Sequence, residues 1–170
     1  MKSWFSKKSN LLFLVIICFF FYRQGPVFFK NFKKSDVKIE TKEYQVLNAE
    51  AQVSLSQFPP PNRKALGVFW ATWCGPCLIE MKRLKTSVAE GKIDPTTLYA
   101  INPFESSEIV RKFLRSNKFP FTFIDAPEVS TKLEIELTPT TILVENNVIK
   151  SMSSGMSLIG IFKAEKFLKQ

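Results

Sequence analysis

The sequence predicts an α/β domain whose central sheet is parallel in one part and antiparallel at one edge. Three observations carry this reading. Short apolar runs rich in β-formers alternate with amphipathic helical patterns between residues 66 and 135. A two-residue turn, Asn146-Asn147, then joins two further strand-like runs, and a last helical pattern follows them. The 170 residues suit one domain, and 45% hydrophobic with 14% aromatic residues is the composition of a chain that folds.

Taken in order, Tyr44-Gln45-Val46-Leu47 and Gln52-Val53-Ser54-Leu55 alternate around Asn48-Ala49-Glu50 and are expected to form a small hairpin. Pro59-Pro60-Pro61-Asn62 is a stiff break after it. Leu66 to Ala71 (LGVFWA) reads as a strand buried on both faces. From Cys74 a helical pattern sets Leu78, Met81, Leu84 and Val88 on one face, and Gly91 supplies a stop. Thr97 to Ile101 reads as the next strand. Ile109, Val110, Phe113 and Leu114 mark a helix that ends near Asn117. Phe119 to Ile124 is strand-like, and Val129 to Ile135 forms a short helix. Thr140 to Val144 and Val148 to Met152 flank Asn146-Asn147, whose residues tolerate positive φ. Leu158 to Leu168 is the final amphipathic helix, and no internal repeat is found.

The amino terminus has the pattern of an export or anchoring segment. Leu11 to Tyr22 (LLFLVIICFFFY) carries no charged side chain and follows Lys2, Lys7 and Lys8. Arg23-Gln24-Gly25-Pro26 lacks the small residues a signal peptidase reads, so the segment is expected to stay attached. Cys18 follows Ile16-Ile17 and precedes four aromatic residues, which argues against a lipoprotein site. Extended to Phe29, the run would span about 28 Å at 1.5 Å per residue, against roughly 30 Å of hydrocarbon, with Arg23 snorkelling to an interface. Trp4, Phe5, Tyr22, Phe28 and Phe29 are belt candidates. The expected organisation is a basic tail at 1–10, a single-pass signal-anchor at 11–29, a linker at 30–42 and a folded domain at 43–170. A short cytoplasmic tail would place that domain on the outer, periplasmic side of the inner membrane.

Charge and residue inventory exclude several function classes. The net charge is +9, but Lys2, Lys7, Lys8, Arg23, Lys30, Lys33 and Lys34 cluster before residue 35 with no acid among them. The rest is close to balanced, so a membrane surface suits the basic arm better than nucleic acid does. Histidine is absent, which removes Ser–His–Asp triads, HExxH zinc sites and His-ligated haem. Cys18, Cys74 and Cys77 cannot furnish the four ligands of an ordinary structural zinc site, so no metal is expected.

The chemistry lies in Trp70-Ala71-Thr72-Trp73-Cys74-Gly75-Pro76-Cys77. Cysteines at i and i+3 at the start of a helix share one face and can reach each other for a disulfide. The unpaired N–H groups and partial positive charge of the helix tip favour a thiolate on the first. Such surroundings lower a cysteine pKa from roughly 8.5 into the range of about 3.5–7.5. Pro76 suits the first turn, where its missing N–H costs nothing, and Gly75 lets the backbone approach Cys74 and a partner peptide. Two structural readings compete. A bridge closing so small a loop gives little entropic benefit, and half a zinc site lacks its other ligands.

FWATWCGPC resembles the active-site strand and turn of the thioredoxin superfamily. The helix continuation Cys77-Leu78-Ile79-Glu80-Met81, with the amino-terminal anchor, resembles its membrane-tethered TlpA/ResA-like and cytochrome c maturation branch. Leu137-Thr138-Pro139-Thr140-Thr141 resembles the family's cis-proline loop and following strand. The resemblance, over roughly residues 43–168, implies a thioredoxin-like fold: a central mixed sheet flanked by helices, extended by the amino-terminal hairpin. It implies that Pro139 faces the sulfurs in the cis form and that Thr138 pairs with a substrate backbone; the alternative is an ordinary strand-entry proline. It also implies that Trp73 shapes the docking face, against simple core packing. An acid at Glu80 would help proton movement, against a surface pair with Arg83 or Lys85. Classical members carry a buried aspartate six residues before the first cysteine, where this chain has Val68. Phe104 and Glu105, just past the second strand of the core, are further candidates for the border of the site.

The expected function is a thiol–disulfide oxidoreductase. Cys74 attacks a disulfide in a partner protein, Cys77 resolves the mixed disulfide, and a membrane or soluble thiol donor restores the pair. No cofactor beyond the redox-active Cys74–Cys77 disulfide is expected, and the CGPC dipeptide favours reduction, in cytochrome c maturation or a similar process. Two other readings are a copper- or protein-binding chaperone module that uses the thiols without turnover, and a tethered scaffold.

Overall fold

The computed structural model describes residues 36–48, 54–156 and 160–169, with Val15, Cys18 and Phe19. The chain divides into two compact units, 1–33 and 34–170. In the first, the three described residues are helical and exposed. The rest of the expected 11–29 anchor lies outside the described residues. Among the described residues no helix is long and apolar enough to cross a membrane.

The second unit is built on one seven-stranded sheet. Its strands are β1 (Lys42–Val46), β2 (Leu55–Phe58), β3 (Lys64–Phe69), β4 (Leu98–Ile101), β5 (Thr122–Asp125), β6 (Thr140–Glu145) and β7 (Val148–Ser154), in the order β2-β1-β5-β4-β3-β6-β7. The helices are α1 (Gly75–Ala89), α2 (Ser107–Ser116), α3 (Pro127–Lys132) and α4 (Gly160–Lys169), with a 3₁₀ turn at Pro95–Thr97. β3, β4 and β5 run parallel, β6 and β7 add an antiparallel edge, and the β1–β2 hairpin adds the other. This is the thioredoxin-like fold that the sequence resembles.

β3 is buried on both faces, as its unbroken apolar run predicts. Leu66 and Val68 join Trp70, Cys77, Met81, Leu84, Val110, Leu114 and Ala164 in one core layer. Ala65 and Phe69 join Phe58, Tyr99, Val129, Leu133 and Ile142 in the layer on the opposite face. Gly67 sits where Ile142 crosses closely, since a Cβ there would lie 2.8 Å from Ile142 Cγ1. Helix α1 stops as its glycine predicts. Gly91 has φ +67°, its N–H donates to the Val88 carbonyl, and the Lys92 N–H donates to the Ser87 carbonyl at 2.8 Å. Asn146 and Asn147 take φ of 50° and 66°, the turn that the alternation around them requires.

Two expectations need correction. Among the described residues the hairpin's second strand is Leu55–Phe58, with Lys42 opposite Phe58 and Tyr44 opposite Ser56; of the predicted 52–55, Gln52 and Val53 lie outside the described residues. This register buries Tyr44 and Phe58 in the lower core layer, a gain invisible to local alternation. The expected linker at 30–42 is also not all spacer. Ile39 is buried, its N–H donates to the Asn147 carbonyl at 2.8 Å, and Lys38 bridges Val148. Residues 36–39 thus cover the edge beside β7, satisfying backbone groups that an exposed strand would leave open.

Candidate active site

The site forms where β3 ends and α1 begins. Trp70 N–H donates to the Ile101 carbonyl at 3.0 Å, and a tight turn follows, closed by Cys74 N–H on the Ala71 carbonyl at 3.1 Å. Cys74 is the N-cap of α1, and its Sγ accepts the N–H of Cys77 at 3.2 Å. Pro76 lies in the first turn of the helix, where no N–H is missed. Gly75 and Pro76 are exposed. The two cysteines form a disulfide with a Cα–Cα distance of 5.2 Å. Cys74 retains 5% exposure whereas Cys77 has 0%, so Cys74 is the more accessible residue of the pair.

The loop before β6 stands beside this turn. Thr140 is the register partner of Phe69, the last residue of β3, so Pro139 precedes a residue lying opposite the strand end that leads to Cys74. The Thr138–Pro139 peptide is cis; a second cis bond, Phe58–Pro59, ends the hairpin. The loop is pinned from both sides. The Thr140 hydroxyl donates to the Leu137 carbonyl at 2.7 Å, and the Gly155 N–H donates to the Pro139 carbonyl at 2.7 Å. Pro139 is buried and Thr138 half-buried.

Glu80 is 3% exposed, which removes the surface-pair reading. It follows Cys77 by one helical turn on the inward face of α1, a face that centres on Cys77, Glu80, Met81, Leu84 and Ser87 rather than on Leu78 and Val88. Its Oε1 accepts the Thr141 hydroxyl at 2.9 Å, and its Oε2 is buried without a hydrogen-bond partner. Burial raises its pKa, opposed by the Thr141 bond and the Arg83 charge. Thr141 pairs in register with Val68. A buried carboxyl therefore reaches the region beneath the disulfide from the helix, while Val68 on β3 is apolar.

Trp73 is 69% exposed, so it is not a core residue; its ring lies 6.2 Å from that of Phe104. Glu105 also meets the active-site turn, accepting both the N–H and the hydroxyl of Thr72. Thr72 and Thr141 were not singled out from sequence. One sits inside the motif without a distinguishing pattern, and the other is marked only by its side of β6. Among the described residues no group of three or more Cys, Asp or Glu is placed to hold a metal.

Comparison with known proteins places this geometry. A family model described as AhpC/TSA family matches residues 30–152. Thiol-disulfide oxidoreductase ResA of Bacillus cereus is 27% identical over 154 residues, covering 83% of this chain and 85% of that protein. Thioredoxin-like protein YneN of Bacillus subtilis is 34% identical over 99 residues, 55% of this chain and 57% of that one. The crystal structure of StoA from Bacillus subtilis superposes with a TM-score of 0.62 at 19% identity, covering 75% of this chain and 96% of that chain. That of a thio-disulfide isomerase from Thermus thermophilus gives 0.58 at 20%, covering 77% and 94%. The chain belongs to the AhpC/TSA family, as a thioredoxin-like thiol–disulfide oxidoreductase of the ResA type with its cysteine pair at Cys74 and Cys77.

Proposed function

We propose that this enzyme reduces disulfides in partner proteins on the outer side of a membrane, to which residues 11–29 anchor it. The observation that carries the reaction is the N-cap position of Cys74, whose sulfur receives the Cys77 N–H and which is the more accessible residue of the pair. In the reduced enzyme the Cys74 thiolate attacks one sulfur of a substrate disulfide. A Cys74–substrate bond forms, and the other substrate sulfur leaves as a thiolate and takes up a proton. Cys77 then loses its proton towards Glu80 and attacks Cys74 Sγ. The intramolecular disulfide forms, the second substrate thiol is released, and two electrons have passed to the substrate. An external dithiol donor returns the enzyme to its reduced state.

Trp73, Thr138 and Pro139 are assigned to substrate docking. Trp73 offers an exposed ring beside the nucleophile, and Thr138-Pro139 a pinned backbone next to it. Proteins of cytochrome c maturation are the substrate class we favour, on the resemblance of Cys77–Met81 and the amino-terminal run to the membrane-tethered branch of the superfamily. The uncharged run 11–22 with its flanking lysines supports the anchor.

Reduction of insulin by the full chain with dithiothreitol, with Cys74→Ser as control, tests the reaction. Turnover that vanishes in the variant is expected, and equal rates would overturn the reading. Titration against a glutathione couple tests direction, a strongly oxidising midpoint being the contrary result. Cys77→Ser stalls the mixed disulfide and identifies the partner.

A further inference from the structure

Glu105 belongs to the loop between β4 and α2, yet its carboxylate grips the turn that ends in Cys74. Oε2 accepts the Thr72 N–H at 2.6 Å and Asn102 Nδ2 at 2.7 Å, while Oε1 accepts the Thr72 hydroxyl at 2.5 Å. Asn102 is buried, and its Oδ1 accepts the N–H groups of Phe104 and Glu105 at 3.0 and 3.1 Å, so the gripping group is itself held. Thr72 is the first corner of the turn closed by Cys74 N–H on the Ala71 carbonyl. The loop also carries Phe104, whose ring meets Trp73. Burial alone would raise the Glu105 pKa, but the Thr72 and Asn102 hydrogen bonds together bring it below the ordinary carboxylate value. The group is anionic at neutral pH.

We propose that Glu105 is a positioning residue for the nucleophile: by clamping the Ala71–Cys74 turn it holds the Cys74 sulfur on the Cys77 N–H at the tip of α1. This rests on the reading of Cys74 as the attacking thiol. The clamp works by geometry, not by charge, and the two have opposite signs. A carboxylate near a thiol disfavours the thiolate, so deleting its charge alone lowers the thiol's pKa. Loss of the N-cap position raises it. Glutamine separates the two effects. Its carbonyl oxygen accepts from Thr72 N–H and Asn102, and its NH₂ donates to the Thr72 hydroxyl, which rotates to accept.

The test is the iodoacetamide alkylation rate of Cys74 against pH in the reduced full chain carrying Cys77→Ser. Glu105→Ala is expected to move the midpoint of the profile upward and slow alkylation at pH 7 by about tenfold, the equivalent of one pKa unit. Glu105→Gln, which keeps the bonds and loses the charge, is expected to alkylate at pH 7 at least as fast as the parent, with its midpoint at or below the parental one. Thr72→Val removes one of the bonds and gives a loss of roughly threefold, which keeps the test decisive if the alanine variant does not fold. An unchanged or lowered midpoint in Glu105→Ala, an unaltered Thr72→Val, or a glutamine variant as slow as alanine would overturn the proposal. Alkylation needs no protein substrate. Expected rates in the Cys77→Ser series, with insulin left unreduced by the chain that keeps Cys77, retain the clamp and remove the proposed function. Insulin turnover by that chain with a failed alkylation series does the reverse.

Discussion

The Thr141 hydroxyl donates to Glu80 Oε1 at 2.9 Å, linking the strand that leaves the Thr138–Pro139 loop to the helix that carries Cys77. The two residues are separated by 61 positions in sequence. Their contact places a carboxyl in a buried pocket of its own making, with one oxygen bonded and the other left without a partner. Such a group is costly when ionised and is poised to take a proton.

That cost gives a pH dependence to stability. Burial lifts the Glu80 pKa above its ordinary 4.5, so the folded chain binds this proton more tightly than the unfolded one. Its contribution is most favourable below 4.5 and is lost as pH climbs through the raised folded value. Glu80→Gln removes the titration, so the urea midpoint of the oxidised variant should exceed the parent's by a margin that grows from pH 4 to pH 8. Parallel curves would count against a buried, proton-holding Glu80.

The same carboxyl is expected to set the rate of the second chemical step. Glu80→Gln should slow release of the mixed disulfide by about a hundredfold, the lower reach of acid–base contributions. Thr141→Val deletes a bond that lowers the Glu80 pKa and should move the pH–rate profile upward. Stopped-flow measurement of both variants checks this; an unchanged profile in each would show that the proton takes another route.

Gly67 is required by packing. An added methyl at this position meets Ile142 Cγ1 at 2.8 Å and Phe58 Cζ at 3.3 Å, in the middle of the strand that leads to the active site. Gly67→Ala should destabilise the domain by about 1–3 kcal/mol through overpacking. Thermal unfolding reads the loss, and Ile142→Ala in the same chain should recover part of it.

Asn48 acts as a substitute piece of backbone. Its Nδ2 donates to the Phe121 carbonyl at 2.8 Å and its Oδ1 accepts the Phe123 N–H at 3.0 Å, continuing the β1–β5 ladder beyond Val46. Asn48→Ala leaves both backbone groups without these bonds, and a cost of about 1–3 kcal/mol is expected. Denaturant unfolding is the check, and a value within 0.5 kcal/mol of the parent would mean that water replaces the amide fully.

Trp73 should divide function from stability. Its exposure predicts that Trp73→Ala changes stability by no more than about 0.5 kcal/mol. If the ring docks substrate, KM for insulin rises by roughly fivefold with kcat nearly kept, since one exposed aromatic contact contributes about 1 kcal/mol. An unchanged KM would assign the ring to its contact with Phe104 alone.

Most elements were legible because their causes are local. The run from Leu66 reads as a buried strand whatever lies beside it, and Gly91 ends α1 through its own φ. The Asn146-Asn147 turn follows from the two residues that form it. Local alternation favours 52–55 over Leu55-Ser56-Gln57-Phe58, whose two apolar residues fall on opposite faces of a strand. Only the burial of Tyr44 and Phe58 against β3 and β4 decides the register.

The spacing of Cys74 and Cys77 at a helix tip is likewise contained in a few consecutive residues, and with the Leu137–Thr141 motif after it the sequence pointed to the reaction class. What surrounds the sulfurs was decided by tertiary structure. Glu80 meets Thr141 across 61 residues and Glu105 meets Thr72 across 33, because strand order brings β6 and the β4–α2 loop to the end of β3. Periodicity reports which face of an element turns inward, but not which side chain of another element waits there; that is set by how the sheet is ordered and how the helices are laid across it.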